Sequence, residues 1–269
     1  MDCDAPIGVF DSGVGGLTVL RALSARLPGE HTIYLGDTAR VPYGTRSAAV
    51  VTRYALLNAR HLCARGVKLL VVACNTVSAQ SLPRLVEALP IPVIGVIEAG
   101  ARAAVQATRG GGVAVLATPG TVASGAYQAA LGRLLPGSRV VARACPLFVP
   151  LAEEGWTTGE VPRLVAERYL KDLGSVDTVL LGCTHYPLLA GTIAEVMGKD
   201  VRVVDGAAAT CDEVAVLLSE RRLLRESTGP ARQEVLCTDL PDRFRTTAER
   251  FLGRPVPRLE LIDLVVPEE

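Results

Sequence analysis

Lysine is almost missing from this chain: Lys68, Lys171 and Lys199 are the only three in 269 residues. None of them stands at a strand-end motif. A pyridoxal-phosphate site needs a lysine for its Schiff base, and a Walker-type phosphate loop needs one on the phosphates. Both chemistries are therefore poorly served. Close cysteine pairs are missing too. The seven cysteines fall at 3, 63, 74, 145, 183, 211 and 237, an odd and scattered set that does not suggest a disulfide framework. No apolar run reaches the ~18 residues of a membrane span. The start, Met1-Asp2-Cys3-Asp4, is acidic and lacks the basic and long apolar regions of a signal peptide. A cytoplasmic protein with no membrane partner is expected. Net charge is missing as well, since 28 basic residues cancel 28 acidic ones. That balance gives no support for binding nucleic acid.

What is present is apolar and periodic. Hydrophobic residues make up 49% of the chain, enough for a substantial core in one large or two medium domains. Short apolar runs at 7–10, 32–35, 69–73, 92–96, 113–117, 139–142, 178–181 and 201–204 read as strands. Helical patterns separate them: from 14 to Pro28-Gly29, then about 47–65, 78–88, 98–108, from 121 to about 135, about 161–173, after His185, and about 208–225. Residues 146–155 read as a loop of mixed character. The tail is less regular, with 233–237 and 258–261 extended around a helix near 242–252. Strands alternating with helices imply a mostly parallel sheet covered on both faces, an α/β fold.

The chain also echoes itself. Val71-Val72-Ala73-Cys74-Asn75-Thr76 is an apolar strand that delivers a cysteine and then small polar residues. Val179-Leu180-Leu181-Gly182-Cys183-Thr184-His185 does the same 109 positions later. Asp11-Ser12-Gly13 is echoed by Thr118-Pro119-Gly120, with Ser12 and Thr118 separated by 106 positions. Two pseudo-symmetric α/β domains are expected, the first made of 1–97 plus 207–269 and the second of 98–206, with the site at their interface.

In open α/β sheets, ligands bind beyond the carboxyl ends of the strands. Asp11-Ser12, Tyr43-Gly44, Cys74-Asn75-Thr76 and Cys183-Thr184-His185 all sit at such ends. Hydroxyl, amide and free N–H groups without lysine suit a carboxylate better than a polyphosphate. The glycine-rich turn Ser12-Gly13-Val14-Gly15-Gly16 lacks the GxGxxG spacing and reads either as a phosphate cradle or as a tight entry to a helix. A cysteine alone is more often a packed core residue. Two at equivalent strand ends suggest instead a proton donor and a proton acceptor on opposite faces of one carbon, which inverts a stereocentre. His185 could orient or protonate one thiol. Zinc on Cys74, Cys183 and His185 would lack a fourth ligand and the usual close ligand pairs, so no metal is expected. Asp11 is a base or a helix cap. Glu153-Glu154 is a solvated acidic pair or part of a cleft wall. The other five cysteines read as structural.

Several blocks in order, GVFDSGVGGLTVL (8–20), YLGDTARVPYG (34–44), VVACNTVSA (71–79), PVIGVIEAG (92–100), PLFVPLAEEG (146–155) and LLGCTHYPLL (180–189), resemble the glutamate racemases. That resemblance covers 7–205. It implies cofactor-independent interconversion of L- and D-glutamate, with D-glutamate supplied to peptidoglycan and hence to the cell wall and cell shape. It implies Cys74 and Cys183 as catalytic thiols, the first acting mainly on the D- and the second on the L-enantiomer. It implies Asp11 and His185 as their assistants. Ser12, Tyr43, Gly44, Asn75, Thr76 and Thr184 match substrate-contacting positions, and Thr118, Thr121 and Glu153 match looser ones. Family members are often dimers, so a homodimer is expected. Aspartate racemase, maleate isomerase and arylmalonate decarboxylase share the superfamily, but the complete DSGVGGL and VPYG blocks favour glutamate. A binder of small anions without catalysis is the reading from another class. The chain departs from the resemblance at Ile97-Glu98-Ala99-Gly100, where VIEPG is common, and at Asp205-Gly206, where serine often follows the aspartate.

Overall fold

Apolar runs become buried parallel strands, and the helices between them carry the chain back across each sheet. The computed structural model describes residues 2–227 and 229–264. The last five residues of the C-terminal piece expected to join the first domain, together with 228 and Met1, lie outside the described residues. In chain order the elements are β1 (Ile7–Asp11), α1 (Leu17–Arg26), β2 (Thr32–Gly36), α2 (Ala48–Ala64), β3 (Leu69–Val72), α3 (Asn75–Ala88), β4 (Val93–Gly95) and α4 (Ile97–Ala107). The chain continues with β5 (Val113–Ala117), α5 (Pro119–Ser124), α6 (Ala126–Leu134), β6 (Val140–Ala144), α7 (Phe148–Glu154), α8 (Glu160–Leu170), β7 (Thr178–Gly182), α9 (Ala190–Met197), β8 (Arg202–Asp205) and α10 (Ala207–Glu220). It ends with β9 (Gln233–Cys237), α11 (Pro241–Leu252) and β10 (Leu259–Leu261). Short 3-10 turns occupy Thr38–Arg40 and Tyr186–Leu189.

Two sheets result, with strand orders β10-β9-β2-β1-β3-β4 and β6-β5-β7-β8, and every pairing is parallel. The series β2-β1-β3-β4 and β6-β5-β7-β8 follow one plan, so the echo in the sequence is an echo in topology. Register makes it exact to the residue. Phe10 pairs with Val72 two positions before Cys74, and Leu116 pairs with Leu181 two positions before Cys183. Asp11 therefore corresponds to Ala117, and Ser12 to Thr118. After α10 the chain returns to the first sheet and adds β9 beside β2, then β10. One apolar cluster, including Leu17, Leu20, Leu116, Val214 and Phe251, joins the two sheets through α1, α10 and α11.

Three local differences from the sequence reading have physical causes. Residues 148–154 are a helix rather than a loop. Pro150 sits in its first turn, where the missing N–H has no intrahelical partner to lose. Phe148 and Ala152 bury its inner face, and Gly155 ends it at φ +78°. The helix expected to run to about 135 is two, α5 and α6, divided at Gly125 in a left-handed conformation of φ +69°. The helix after β3 starts at Asn75, three residues early, because Cys74 takes the N-cap position and the polar Asn75 and Thr76 form the first turn. The two departures from the family pattern meet in space: a Cβ on Gly206 would stand 2.8 Å from the Gly100 Cα.

Candidate active site

Cys74 and Cys183 emerge from the carboxyl ends of β3 and β7, and both line one cavity of about 210 Å³. Ser12, Tyr43, Gly44, Asn75, Thr76, Thr118, Glu153, Thr184 and His185 line it as well. Two expected residues stand behind its wall. Asp11 is buried beneath the turn that follows β1, and Thr121 is buried beneath Thr118. Val41, Pro42, Pro146, Val149 and Pro150 supply an apolar rim that the sequence reading did not single out. No lysine lines the cavity. Among the described residues, the one group of three or more metal-type ligands that converge is Asp2, Cys3 and Asp4 at the chain start.

The surroundings of the two thiols differ. Cys74 Sγ lies 3.7 Å from Ser12 Oγ. Burial, with the Asp11 charge adding to it, pushes the Cys74 thiol up to about 12, so it is a neutral S–H at ordinary pH. Asp11 Oδ2 accepts from the N–H groups of Gly13, at 3.3 Å, and Gly16, at 3.0 Å. Its buried Oδ1 has no hydrogen-bond partner among the described residues. Burial raises the Asp11 carboxyl, against the opposing pull of His185. Cys183 Sγ lies 3.9 Å from His185 Nδ1, and His185 Nε2 lies 2.9 Å from Glu153 Oε1. Burial alone would lower the imidazole. Its hydrogen bonds and charge interactions with Cys183 and Glu153 outweigh that and raise it to about 10. Glu153 moves the opposite way: burial would raise it, but the bond and charge of His185 leave it below the usual value. The ring of Phe251, from α11, packs edge-to-face with the His185 ring at 5.1 Å between centroids.

The glycine-rich turn is a close approach between the two halves. A Cβ on Gly15 would stand 2.2 Å from Thr184 Oγ1 and 2.4 Å from His185 Nδ1. A Cβ on Gly16 would stand 2.6 Å from Asp11 Cβ. Only hydrogen fits at both places. Thr18, in the first turn of α1, donates its hydroxyl proton to the Thr184 carbonyl at 3.2 Å. The second wall is drawn together in a similar way. Thr76 Oγ1 is 2.9 Å from Thr118 Oγ1 and 3.3 Å from Thr121 Oγ1, while Gly120 N–H donates to the Gly44 carbonyl at 2.9 Å.

Tyr43 lines the cavity, but its hydroxyl is committed to a partner within the protein. The phenol donates to the buried Asp37 Oδ2 at 2.5 Å, and Asp37 also accepts from Arg40, Asn58 and Thr238. The N–H groups of Tyr43 and Gly44 donate to no group among the described residues. Asn75 Oδ1 accepts from Tyr127 at 2.7 Å. Asp37, Tyr127 and Phe251 were not foreseen as parts of the site. Each reads in the sequence as an ordinary strand-end, helix or core residue, and only the fold brings it here.

A duplicated parallel α/β fold with one thiol from each half in a shared, largely apolar cavity defines a class of protein that holds a small molecule between residues of two like halves. The comparisons with known proteins narrow that class. Residues 7–214 match the Asp/Glu/Hydantoin racemase family, and the chain belongs to that family of isomerases. It is 51% identical over 265 residues to the glutamate racemase of Geobacter metallireducens, covering 98% of each chain. It is 46% identical to glutamate racemase of Thermus thermophilus in complex with β-chloro-D-alanine, with a TM-score of 0.89 over 98% of this chain and 99% of that one. Glutamate racemase of Francisella tularensis in complex with D-glutamate superposes with a TM-score of 0.90 at 39% identity, covering 97% and 98%.

Proposed function

We propose that the protein interconverts L- and D-glutamate without a cofactor, by proton transfer between the substrate α-carbon and two cysteines. The observation that carries this reading is the pair Cys74 and Cys183, at register-equivalent places in two halves, lining one cavity with contrasting partners. Similarity to glutamate racemases over nearly the whole chain supports the choice of substrate.

The chemistry follows from charge. An amino acid α-proton is far less acidic than a thiol, so the carbanion has to be stabilised where it forms. The free N–H groups at the start of α3, with Asn75, Thr76 and Thr184, hold the α-carboxylate and take up its enolate-like charge. Ser12 and the N–H groups of Tyr43 and Gly44, which are unpaired among the described residues, hold the distal carboxylate. The apolar rim excludes water and strengthens each of these interactions. From L-glutamate, the Cys183 thiolate facing the His185 imidazolium takes the α-proton and becomes S–H. The Cys74 S–H gives its proton to the opposite face and becomes the thiolate. D-glutamate reverses both transfers, with Asp11 beside Cys74 assisting the thiol that now acts as base. Glu153 holds His185 protonated and oriented.

The same reading divides the chain into domains at 1–97 plus 207–269 and 98–206, closing on the substrate between them. It makes the protein a cytoplasmic homodimer that supplies D-glutamate to peptidoglycan, and so serves cell-wall biogenesis and cell shape. Among the described residues no helix is long and apolar enough to cross a membrane. A circular-dichroism assay on each glutamate enantiomer, with L-aspartate in parallel, tests the reaction. Inversion of glutamate with incorporation of solvent deuterium at the α-carbon is expected, and preferential inversion of aspartate would overturn the substrate. Light scattering from the purified chain tests the dimer.

A further inference from the structure

Asn75 can hold a carboxylate only if its amide NH2, not its carbonyl, faces the cavity. The two ends of a side-chain amide have nearly the same shape, so something outside the substrate has to choose between them. Tyr127 is placed to choose. It is the second residue of α6 in the second half, whereas Asn75 opens α3 in the first. Its hydroxyl donates to Asn75 Oδ1 at 2.7 Å, and both side chains are buried. Among the described residues, the Tyr127 proton has no other acceptor, and Asn75 Nδ2 has no protein acceptor.

Two glycines make room for the ring. A Cβ on Gly182 would stand 2.9 Å from Tyr127 Cε2, and one on Gly100 would stand 3.0 Å from its hydroxyl. Gly182 immediately precedes Cys183. Burial raises the phenol further above its ordinary value, so it remains a donor at any working pH. In the flipped arrangement the amide NH2 would take the phenol oxygen, strand the phenol proton and set a carbonyl against the incoming carboxylate.

We propose that Tyr127 is a positioning residue for substrate binding, fixing the Asn75 amide with its NH2 toward the substrate carboxylate from across the junction of the two halves. This rests on the carboxylate-holding role given to Asn75 above. Tyr127 touches no reacting atom, so its effect belongs in KM rather than in kcat.

The test is a double-mutant cycle in the full-length enzyme, reading KM and kcat for each glutamate enantiomer. Tyr127→Phe keeps the ring and removes only the hydroxyl. It is expected to raise KM about tenfold with kcat within about threefold, the size of one hydrogen bond to a charged ligand. Asn75→Ala is expected to raise KM at least as much, and the double variant no more than about twofold beyond Asn75→Ala. A raised KM in Asn75→Ala beside an unchanged KM in Tyr127→Phe would overturn the inference and leave the Asn75 role standing. Multiplied effects in the double variant would overturn it too. An unchanged KM in Asn75→Ala would remove the Asn75 role itself. A Tyr127→Phe enzyme that lost only melting temperature or kcat would mark the tyrosine as packing.

Discussion

Cys74 and Cys183 leave equivalent strands of two sheets with one strand order, yet they stand in opposite electrostatic company. Cys74 has Ser12 at 3.7 Å and the Asp11 carboxyl close enough to raise it. Cys183 has His185 at 3.9 Å, with Glu153 behind it. Register shows where the repeat was broken. The partner of Asp11 in the second half is Ala117, which carries no charge, and the charged neighbours of the second thiol are His185, two residues after it, and Glu153 behind that ring. Duplication accounts for two thiols in one cavity. Their unlike neighbours leave Cys74 an S–H beside an acid and set Cys183 against a cation, and the proposed two-thiol proton transfer uses that contrast.

The largest expected effect is the loss of either thiol. Cys74→Ala and Cys183→Ala are each expected to lower racemisation of both enantiomers by about 10³-fold or more, the upper range for a positioned acid or base. Racemisation near the wild-type rate in either variant would remove the two-thiol scheme. The difference between the thiols has to be read elsewhere. L- and D-glutamate have equal free energies, so kcat/KM must be the same in both directions for every variant. Asymmetry can appear only in kcat and KM separately and in the isotope effects. Asp11→Asn and His185→Gln are expected to lower kcat/KM by about 10²-fold, with the deuterium isotope effect growing more for D-glutamate in the first and for L-glutamate in the second. Equal growth in both would mean that the two assistants are not specific to one thiol.

The next effect is on pH dependence. His185 is raised to about 10 by Cys183 and Glu153 against its burial. A raised group contributes stability fully present below its unfolded value and lost as pH rises through its folded one. The kcat from L-glutamate and thermal stability should therefore both fall as pH rises through about 10. Glu153 is lowered, so its share is present above the ordinary carboxylate value and is lost as pH falls through the folded value. Its carboxylate side chain is 41% exposed, which screens that second limb. Glu153→Gln should move the alkaline limb to lower pH. A limb that stays in place would show that Glu153 does not hold the His185 proton.

A smaller structural effect comes from the turn between the halves. Gly15→Ala would push a methyl into Thr184 and His185 and is expected to cost about 1–3 kcal/mol while disabling the His185 side of the site more than the Asp11 side. Among the described residues nothing lies within 4 Å of the Gly29 Cβ position, and Gly29→Ala is the matched control. Equal melting temperatures and activities in the two variants would mean that the turn yields without disturbing His185.

Most of the frame was legible because apolar runs of strand length bounded by glycine and proline leave few alternatives, and because a repeat at about 106–109 positions is visible in the letters. That Cys74 and Cys183 come to line one cavity was legible for the same reason. Glu153 remained ambiguous because Pro146 and Pro150 hid a helix whose first turn tolerates proline, and only that helix carries the carboxylate to His185. Asp37 and Tyr127 were not legible at all. Each acts through a long-range hydrogen bond, to Tyr43 and to Asn75, and no spacing in the sequence announces such a partner. The Tyr43 hydroxyl taught the converse: a residue placed at the cavity by sequence turns its polar end into the protein.

The smallest effect tests how far the repeat still carries chemistry. Thr118 occupies the place of Ser12 in the second half, but its hydroxyl is taken up by Thr76 at 2.9 Å and Thr121 at 3.0 Å instead of by the local cysteine. It also accepts from the Thr121 N–H and so caps α5. Thr118→Val should therefore cost about 1 kcal/mol of stability, the size of one cap or hydroxyl bond, and change kcat by less than about threefold. The Thr76–Thr121 contact of 3.3 Å would remain to hold the wall. Ser12→Ala, which removes the hydroxyl beside Cys74, should lower kcat by about tenfold. Comparing the two kcat values checks this directly. If Thr118→Val matched Ser12→Ala, the second-half hydroxyl would also serve the reaction, and the two halves would be more alike in function than their surroundings suggest.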